Sequence, residues 1–299
     1  MVATVRPRRS ILYMPGSNTR ALEKAKTLTS DGFILDLEDA VAPNAKAEAR
    51  GHVVAAACSG LYGRREVLIR VNALNTPWGY EDLAAAAKSG CDGVLLPKVQ
   101  SADHVRLCEQ VLEANGAPRT LALWCMMETP FGMLHADEIA NATPRLGGMV
   151  MGTSDLTKDL QAAHTRERLP MITSLSLCIL AARAHGLAIV DGVHLDLDDD
   201  EGFVLSCRQG RELGFDGKTL IHPKTIILAN QTFGPSPQEV TFSRRIIDAF
   251  TQAEHEGKGV VVVDGKLVEN LHMANARRLV QLADAIEALE QGTVQTVEP

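Results

Sequence analysis

The chain has 299 residues, 45% of them hydrophobic, with a formal net charge of −7 and a pI of about 5.7. The excess of acidic residues gives no electrostatic reason to expect nucleic acid or an anionic membrane as the main partner. No apolar run is long enough to span a bilayer, the N-terminus lacks a signal-type apolar region, and the six scattered cysteines have no metal-type spacing, so we expect a cytoplasmic protein with reduced thiols.

From Ser10 onward, short apolar segments alternate with longer segments that carry apolar residues at three-to-four spacing. This alternation is typical of βα units and a parallel sheet. We predict eight strands, at residues 10–14, 32–38, 66–71, 93–98, 121–127, 147–152, 187–192 and 217–222. Predicted helices include residues 18–30, 44–58, 78–89, 101–115, 198–213 and 223–233. Eight such units predict a TIM (β/α)₈ barrel over residues 8–234. The alternative is a doubly wound open sheet, although no GxGxxG motif follows the first strand.

A C-terminal extension over residues 235–291 is predicted by the change in pattern after the eighth helix. Residues 238–256 indicate an amphipathic helix, Asp264-Gly265 is a strong signal for a two-residue hairpin turn, and residues 270–291 indicate a final helix. The apolar face of this extension must be buried either on its own barrel or on a neighbouring subunit. We expect a homo-oligomer and keep packing on the parent barrel as the alternative.

Two apolar runs in the predicted barrel, LALWCMM and GGMVMG, are each followed by a turn that carries an acid, Glu128 in one case and Asp155 in the other. The carboxyl ends of barrel strands meet at the active-site face, so both carboxylates should face one cavity. A hard cation such as Mg²⁺ would relieve their repulsion, because it binds one or two carboxylates and takes its other ligands from water and substrate. The alternative is that Arg or Lys neighbours neutralise both acids.

Other polar residues also close the predicted strands, and a barrel would gather them around the same cavity. They are Pro15-Gly16, Asp36 with Glu38 and Asp39, Arg70, Lys98, Asp191 and His222. Taken singly, Lys98 and His222 are weak candidates, since a lysine at a strand end is often an ion-pair partner and a histidine before proline is often a cap.

The chain resembles the citrate lyase beta-subunit-like and malyl-CoA lyase family, which are CoA-ester lyases of the HpcH/HpaI aldolase superfamily. The resemblance covers about residues 8–290. It rests on the joint order and spacing of RSILYMPGS (9–17), DLEDAVAPNAKAEAR (36–50), IRVN (69–72), LPK (96–98), METPFG (127–132), GTSDL (152–156), the strand end at Asp191, GFDGKTLIHP (214–223), NQTF (230–233) and VDGKLVEN (263–270).

This resemblance implies a TIM barrel whose C-terminal extension reaches a neighbouring subunit in a trimer or hexamer. The implied reaction is reversible retro-Claisen cleavage of a β-hydroxyacyl-CoA to acetyl-CoA or propionyl-CoA and a 2-oxo acid, with Mg²⁺ as the cofactor. The partners would be these small molecules, a CoA thioester and a 2-oxo acid. Two alternatives stay open: a malyl-CoA-type thioesterase, and a citryl carrier-protein lyase subunit that acts only in a citrate lyase complex.

Carried over by position, Glu128 and Asp155 match the metal-binding acids, and Glu128 also borders the substrate. Arg70 matches the substrate-binding arginine, where a salt bridge to Asp36 or Glu38 is the alternative. Tyr13 and Lys24 match positions that contact the CoA-bearing substrate.

Three residues depart from the family pattern. Asn18 stands where some relatives have Arg, so Arg20 is expected to supply the charge, and Thr225 stands where many have Gln. The third is Glu269, where the family has an Asp that acts as the acid/base group in the neighbouring subunit's site. Because Glu is longer by one methylene, we expect Glu269 to take that catalytic role. The alternatives are a changed reaction or a solvated acid at the start of the last helix.

Overall fold

The computed structural model describes residues 5–255 and 260–294. Of these, residues 8–233 form one compact unit, and residues 5–7 with residues 234–255 and 260–294 form a second. The described helices include none with the length and hydropathy needed to cross a membrane.

The first unit is a closed barrel of eight parallel strands in the order β1 to β8, as a TIM barrel requires. The prediction of this fold is confirmed, and the open-sheet alternative is wrong, because β1 pairs with β2 on one side and with β8 on the other. Each predicted strand lies within two residues of the observed one. The strands are Ser10–Pro15, Gly32–Asp36, Glu66–Arg70, Gly93–Leu96, Ala122–Met127, Leu146–Met151, Ala188–Asp191 and Gly217–Leu220.

Ten helices of this unit surround the barrel strands. They are α1 Thr19–Ala25, α2 Lys46–Cys58, α3 Gly79–Ala86, α4 Ala102–Ala114, α5 Pro130–Leu134, α6 Ala136–Ala140, α7 Thr153–Asp159, α8 Ile172–Ala184, α9 Asp200–Leu213 and α10 Ile226–Phe233. Helix α1 is shorter than predicted, because Arg65 donates to the carbonyls of Ala25, Lys26 and Leu28 and ends the helix there. Short 3₁₀ turns occupy Pro43–Ala45, Leu169–Met171 and Pro223–Thr225.

Two layers of apolar side chains explain why the strands are apolar throughout. Alternate strand residues pack in the barrel interior, among them Ile34, Leu68 and the fully buried Trp124. The intervening residues, such as Leu35 and Ile69, pack outward against the helices. Since both faces of each strand are buried, polar side chains concentrate where the strands end, and this positions the candidate site.

The second unit contains α11 Pro237–His255, a hairpin of β9 Val261–Val263 and β10 Lys266–Val268, and α12 Asn270–Val294. The hairpin turn is confirmed, since Asp264 and Gly265 have positive φ angles of 51° and 75° as a type I′ turn needs. Residue 256, the end of the predicted helix 238–256, lies outside the described residues. A small core of the unit joins the hairpin to both helices and includes Phe250, Val263, Val268 and Met273.

Candidate active site

Glu128 lies directly after β5 and is buried, with 2% of its surface exposed. Its Oε1 accepts a hydrogen bond of 2.7 Å from the backbone N–H of Lys98. On the other side lies Gly152, the residue after β6, where a Cβ atom would be only 2.5 Å from Glu128 Oε2. Glycine at position 152 therefore makes room for this carboxylate between two neighbouring strand ends.

Asp155 lies in the first turn of α7, three residues beyond Gly152. Its carboxylate is half-buried, with 29% of the side chain exposed, and it lies 3.4 Å from Lys98 Nζ through Oδ2 and 3.5 Å from Lys158 Nζ through Oδ1. Glu128 and Asp155 thus share Lys98 as a neighbour, through its backbone and its ammonium respectively. Lys98 therefore neutralises part of the negative charge of the two acids, as the alternative to a metal ion predicted.

Arg70 ends β3 and is buried against two acids from the segment after β2. Its Nε and Nη2 donate to Asp36 Oδ1 and Oδ2 at 2.7 and 2.6 Å, so Asp36 occupies the guanidinium fork. Its Nη1 lies 2.9 Å from Glu38 Oε2 without hydrogen-bond alignment. Burial lowers the pKa of Arg70, but Asp36 and its other neighbours raise it by more, so the guanidinium stays charged.

The salt-bridge alternative for Arg70 is therefore present in the structure, and it orients the arginine. Asp36 is itself fixed, because its carboxylate accepts the backbone N–H groups of Glu38 and Ala40. With Nε and Nη2 engaged, the Nη1 edge is the part of the guanidinium free of hydrogen bonds to Asp36.

Lys98 connects the arginine to the acid pair. Its Nζ donates to Glu38 Oε1 at 2.7 Å while also lying near Asp155. Burial lowers the pKa of Lys98, but Glu38 raises it by more, so its pKa is above the ordinary value and the ammonium is charged. The strand-end lysine that seemed a weak candidate from the sequence is thus in contact with most of the charged groups of the site.

The charges of these six side chains do not cancel. The solvent-exposed Asp39 and Lys158 are left out of this count. The site then has four carboxylates and two cations. The acids are Asp36, Glu38, Glu128 and Asp155, and the cations are Arg70 and Lys98. Burial, together with the charge of Glu38, raises the pKa of Glu128 to about 7. Once Glu128 is ionised, Glu128 and Asp155 carry an excess of two negative charges, and this excess fits one divalent cation.

The donor set also fits the kind of cation expected. Among the described residues no group of three or more His, Cys, Asp or Glu side chains could hold a metal ion, so the candidate cation site rests on a carboxylate pair. Two carboxylates, of which Asp155 is partly exposed, match Mg²⁺, which keeps several water or substrate ligands. Glu128 and Asp155 are the residues that would hold it.

Tyr13 and Lys24, the expected substrate contacts, have different surroundings. The Tyr13 ring lies under Arg70, with the guanidinium carbon 4.9 Å from its centroid, and its hydroxyl contacts Met126 Sδ at 3.3 Å. Burial raises the pKa of Tyr13 well above its ordinary value, so it stays protonated. Lys24 is exposed on α1, and within the described chain its ammonium has no ion pair. The structure therefore brings Tyr13 to Arg70 but gives Lys24 no contact with that cluster.

Several other residues that the sequence singled out make local capping contacts. Asn18 caps α1 by accepting from Ala21 N at 3.0 Å, His222 Nδ1 accepts from Lys224 N at 3.1 Å, and Thr225 Oγ1 donates to the carbonyl of His222. His222 therefore caps the following turn, as the alternative to a functional role predicted. Arg20 lies on α1 with Lys24.

Asp191 belongs to a separate buried cluster. It accepts from Arg168 Nη1 at 2.7 Å and from Lys218 Nζ at 3.0 Å, and both Asp191 and Lys218 are completely buried. Its carboxylate faces outward to α9, since a Cβ atom at Gly210 would lie 2.9 Å from Oδ2. Lys218 interrupts the apolar run of β8, and this interruption is a sequence signal for a buried charge. Arg168 lies in the loop between α7 and α8, where the sequence gives no such signal.

A cavity of about 420 Å³ lies beside α7, and Arg168 of this cluster lines it. Thr153, Thr157 and Arg168 are in its wall, which also includes His164, Met171, Val193, His194 and Ser206. Its volume lies within the range of small-molecule sites.

Glu269, the expected acid/base group, lies in the second unit immediately before α12. Its carbonyl accepts from His272 N at 2.9 Å and its backbone N–H donates to His272 Nδ1 at 3.1 Å, so its backbone begins the helix. Its side chain is exposed.

Comparison with known proteins places this site in a family. Residues 9–223 match the HpcH/HpaI aldolase/citrate lyase family. The chain belongs to this family. The matched region contains all eight barrel strands and every charged residue of the site described above, whereas Glu269 lies beyond it.

Two relatives and one solved structure are similar to this chain over the HpcH/HpaI domain and also over most of the remaining residues. The chain is 50% identical to a (3S)-malyl-CoA thioesterase of Cereibacter sphaeroides over 96% of this chain and 99% of that protein. It is 35% identical to citrate lyase subunit beta of Escherichia coli, covering 93% and 94% of the two chains. Among structures, CitE of Mycobacterium tuberculosis in complex with magnesium, acetoacetate and coenzyme A is similar with a TM-score of 0.74 and 29% identity, covering 92% and 97%.

Sequence reasoning missed how the HpcH/HpaI site is supported from outside. Lys46 Nζ donates to the carbonyls of Leu37 and Glu38, and Asn72 Nδ2 donates to the same Leu37 carbonyl. Asp82 in turn accepts from the backbone and side chain of Asn72. These contacts fix the segment that presents Glu38 to Arg70 and Lys98.

Proposed function

We propose that this chain is a Mg²⁺-dependent enzyme that acts on CoA thioesters of short hydroxy acids such as malyl-CoA, and that it hydrolyses the thioester. The observation that carries the choice of reaction is the 50% identity, over nearly the whole of both chains, to a (3S)-malyl-CoA thioesterase. The sequence had placed carbon–carbon cleavage first and hydrolysis second. Because the chain is 50% identical to the thioesterase and 35% identical to the citrate lyase subunit, we reverse that order.

The site supports a metal-dependent reaction on the acyl half of the substrate. Glu128 and Asp155 would hold Mg²⁺, which would supply positive charge to oxygens of the hydroxy acid. CitE of Mycobacterium tuberculosis, with magnesium and coenzyme A in one complex, supports this choice of metal and of substrate class.

The residues of the chain have separate roles in this proposal. Arg70, through Nη1, stabilises the negative charge that develops on the thioester oxygen. Tyr13 lies beside that guanidinium and borders the acyl group, and Lys24 on the exposed face of α1 contacts the CoA portion. Asp36 and Glu38 orient Arg70 and are not themselves reacting groups.

Hydrolysis needs a base that takes a proton from the attacking water. The water oxygen bonds to the thioester carbon, the carbon–sulfur bond breaks, and the thiolate of CoA leaves and is protonated. We assign the base to Glu269 of a neighbouring subunit, in a homotrimer or hexamer located in the cytoplasm. The exposure of the Glu269 side chain at the start of α12 supports a group that is available to a second chain.

The second candidate is the lyase reaction, in which the carbon–carbon bond between the hydroxyl carbon and the thioester α-carbon breaks. The match to an aldolase/citrate lyase family favours it. The same Arg70 would then stabilise the enolate of acetyl-CoA, and the same base would take the hydroxyl proton.

One product analysis separates these candidates. Purified protein is incubated with (3S)-malyl-CoA and Mg²⁺ without any carrier protein, and free thiol, malate, glyoxylate and acetyl-CoA are measured. We expect malate and free CoA in equal amounts, with Glu128→Gln as the inactive control. Glyoxylate with acetyl-CoA would overturn hydrolysis in favour of the lyase, and turnover only with a carrier-protein thioester would show a citrate lyase subunit.

A further inference from the structure

The backbone of Lys98 adopts a conformation that side chains disfavour. Its φ angle is 50°, one of four positive values at non-glycine positions in the described chain, the others being Gln161, Arg168 and Asp264. Such strain persists where the surrounding contacts hold it, and it concentrates at functional sites. The backbone N–H of this residue donates a 2.7 Å hydrogen bond to Glu128 Oε1.

The side chain of the same residue reaches two further acids. Nζ is 2.7 Å from Glu38 Oε1 and 3.4 Å from Asp155 Oδ2. With its backbone bond to Glu128, Lys98 contacts three of the four carboxylates of the site. Because 41% of its side chain is exposed, the ammonium is accessible to solvent and is not a sealed ion pair of the core.

Glu38 explains why this ammonium matters to Arg70. One oxygen of Glu38 faces Lys98 and the other faces Arg70, while Arg70 already neutralises Asp36. Without Lys98, the charges of both Asp36 and Glu38 would fall on Arg70 alone. The guanidinium would then have little positive potential left for negative charge on a substrate oxygen.

We infer that Lys98 is a positioning residue with two functions: its backbone fixes Glu128 for the cation, and its ammonium balances Glu38 and competes with the cation for Asp155. This inference deepens the proposed function and rests on it for the turnover effect, but its metal-binding part stands on the geometry alone. The ammonium must give up Asp155 when Mg²⁺ binds and remain on Glu38 during the reaction.

The test uses Lys98→Met, which removes the charge and keeps the aliphatic stem, and Lys98→Arg, which keeps the charge. The matched control is Lys158→Met, since Lys158 also contacts Asp155, at 3.5 Å, but is 69% exposed on α7. Mg²⁺ binding to the full-length protein is measured by titration calorimetry without substrate, and kcat and KM are measured with malyl-CoA. If Lys98→Met does not fold, Lys98→Gly replaces it, because glycine accepts the positive φ and retains the backbone N–H.

We expect Lys98→Met to bind Mg²⁺ several-fold more tightly, because a like charge beside the cation is removed, and to lose kcat by on the order of 10²-fold. Lys98→Arg should restore Mg²⁺ affinity to near the wild-type value. Lys158→Met should change both quantities by less than about twofold, since exposed charges are screened.

Tighter metal binding combined with slower turnover is a pair of changes that a purely structural lysine would not produce. Unchanged or weaker Mg²⁺ binding in Lys98→Met, or equal changes in the Lys98 and Lys158 variants, would overturn the inference. If wild-type protein turns over no malyl-CoA, the proposed substrate is wrong, and the Mg²⁺ titrations still decide the role of Lys98.

Discussion

Replacing Arg70 by lysine tests whether the guanidinium acts in the reaction or only in the fold. The structure gives Arg70 two short bonds to Asp36, at 2.7 and 2.6 Å, and a stack on Tyr13 at 4.9 Å. A lysine can keep one of the two bonds, so the lost charge-assisted bond should lower the free energy of unfolding by about 1.5–3 kcal/mol. Losing the oriented charge at Nη1 should lower kcat by on the order of 10²–10³.

A second buried arginine provides the control for that stability loss. Arg9 is paired with Asp31 through Nε at 2.9 Å and Nη2 at 2.8 Å, at the beginning of β1 and so at the opposite end of the barrel from the site. Arg9→Lys should lose a similar free energy of unfolding in urea denaturation and keep its kcat. The reasoning is refuted if Arg70→Lys retains wild-type kcat/KM, or if the two variants lose equal turnover for equal loss of stability.

Three further outcomes are expected. Excess chelator should abolish turnover, and Asp155→Asn should weaken Mg²⁺ binding in calorimetry without changing the unfolding temperature; full activity in chelator would remove the metal from the account. Asp191→Asn should cost about 3–5 kcal/mol in urea denaturation, because it leaves Arg168 and Lys218 as buried charges. Burial raises the pKa of Asp191, but Lys218 and Arg168 lower it by more, so its pKa in the folded protein is below the ordinary value. The contribution of Asp191 to the free energy of unfolding is therefore complete above about pH 4 and is lost at lower pH. This loss of stability at low pH should be missing in Asp191→Asn. Glu269→Gln should abolish turnover at unchanged Mg²⁺ affinity, and mixing it with Arg70→Ala chains should restore partial activity in hybrid oligomers; an unimpaired Glu269→Gln enzyme would show that the base lies elsewhere.

The barrel could be predicted from the sequence because its strands are buried on both faces and most of them are therefore marked as apolar runs, with β8, which contains Lys218, as an exception. Glu128, Asp155 and Arg70 could be found for the same reason, since each is the first charge after such a run. The hairpin at Asp264-Gly265 followed from local turn chemistry alone.

The connections between the site residues could not be predicted in this way. The role of Lys98 depends on a left-handed backbone at one residue, and Pro97-Lys98 contains no glycine that would signal it. Arg168 reaches Asp191 across 23 residues of sequence, and Lys46 reaches the Glu38 carbonyl from the start of α2. Such contacts depend on how loops pack, which periodicity does not encode.

The metal position tests the central claim most directly. Crystals of the full-length protein grown with Mn²⁺ in place of Mg²⁺ would show the ion by anomalous scattering. We predict one anomalous peak within coordination distance of carboxylate oxygens of both Glu128 and Asp155. A protein whose malyl-CoA turnover depends on Mn²⁺ but whose peak lies away from this pair would contradict the account.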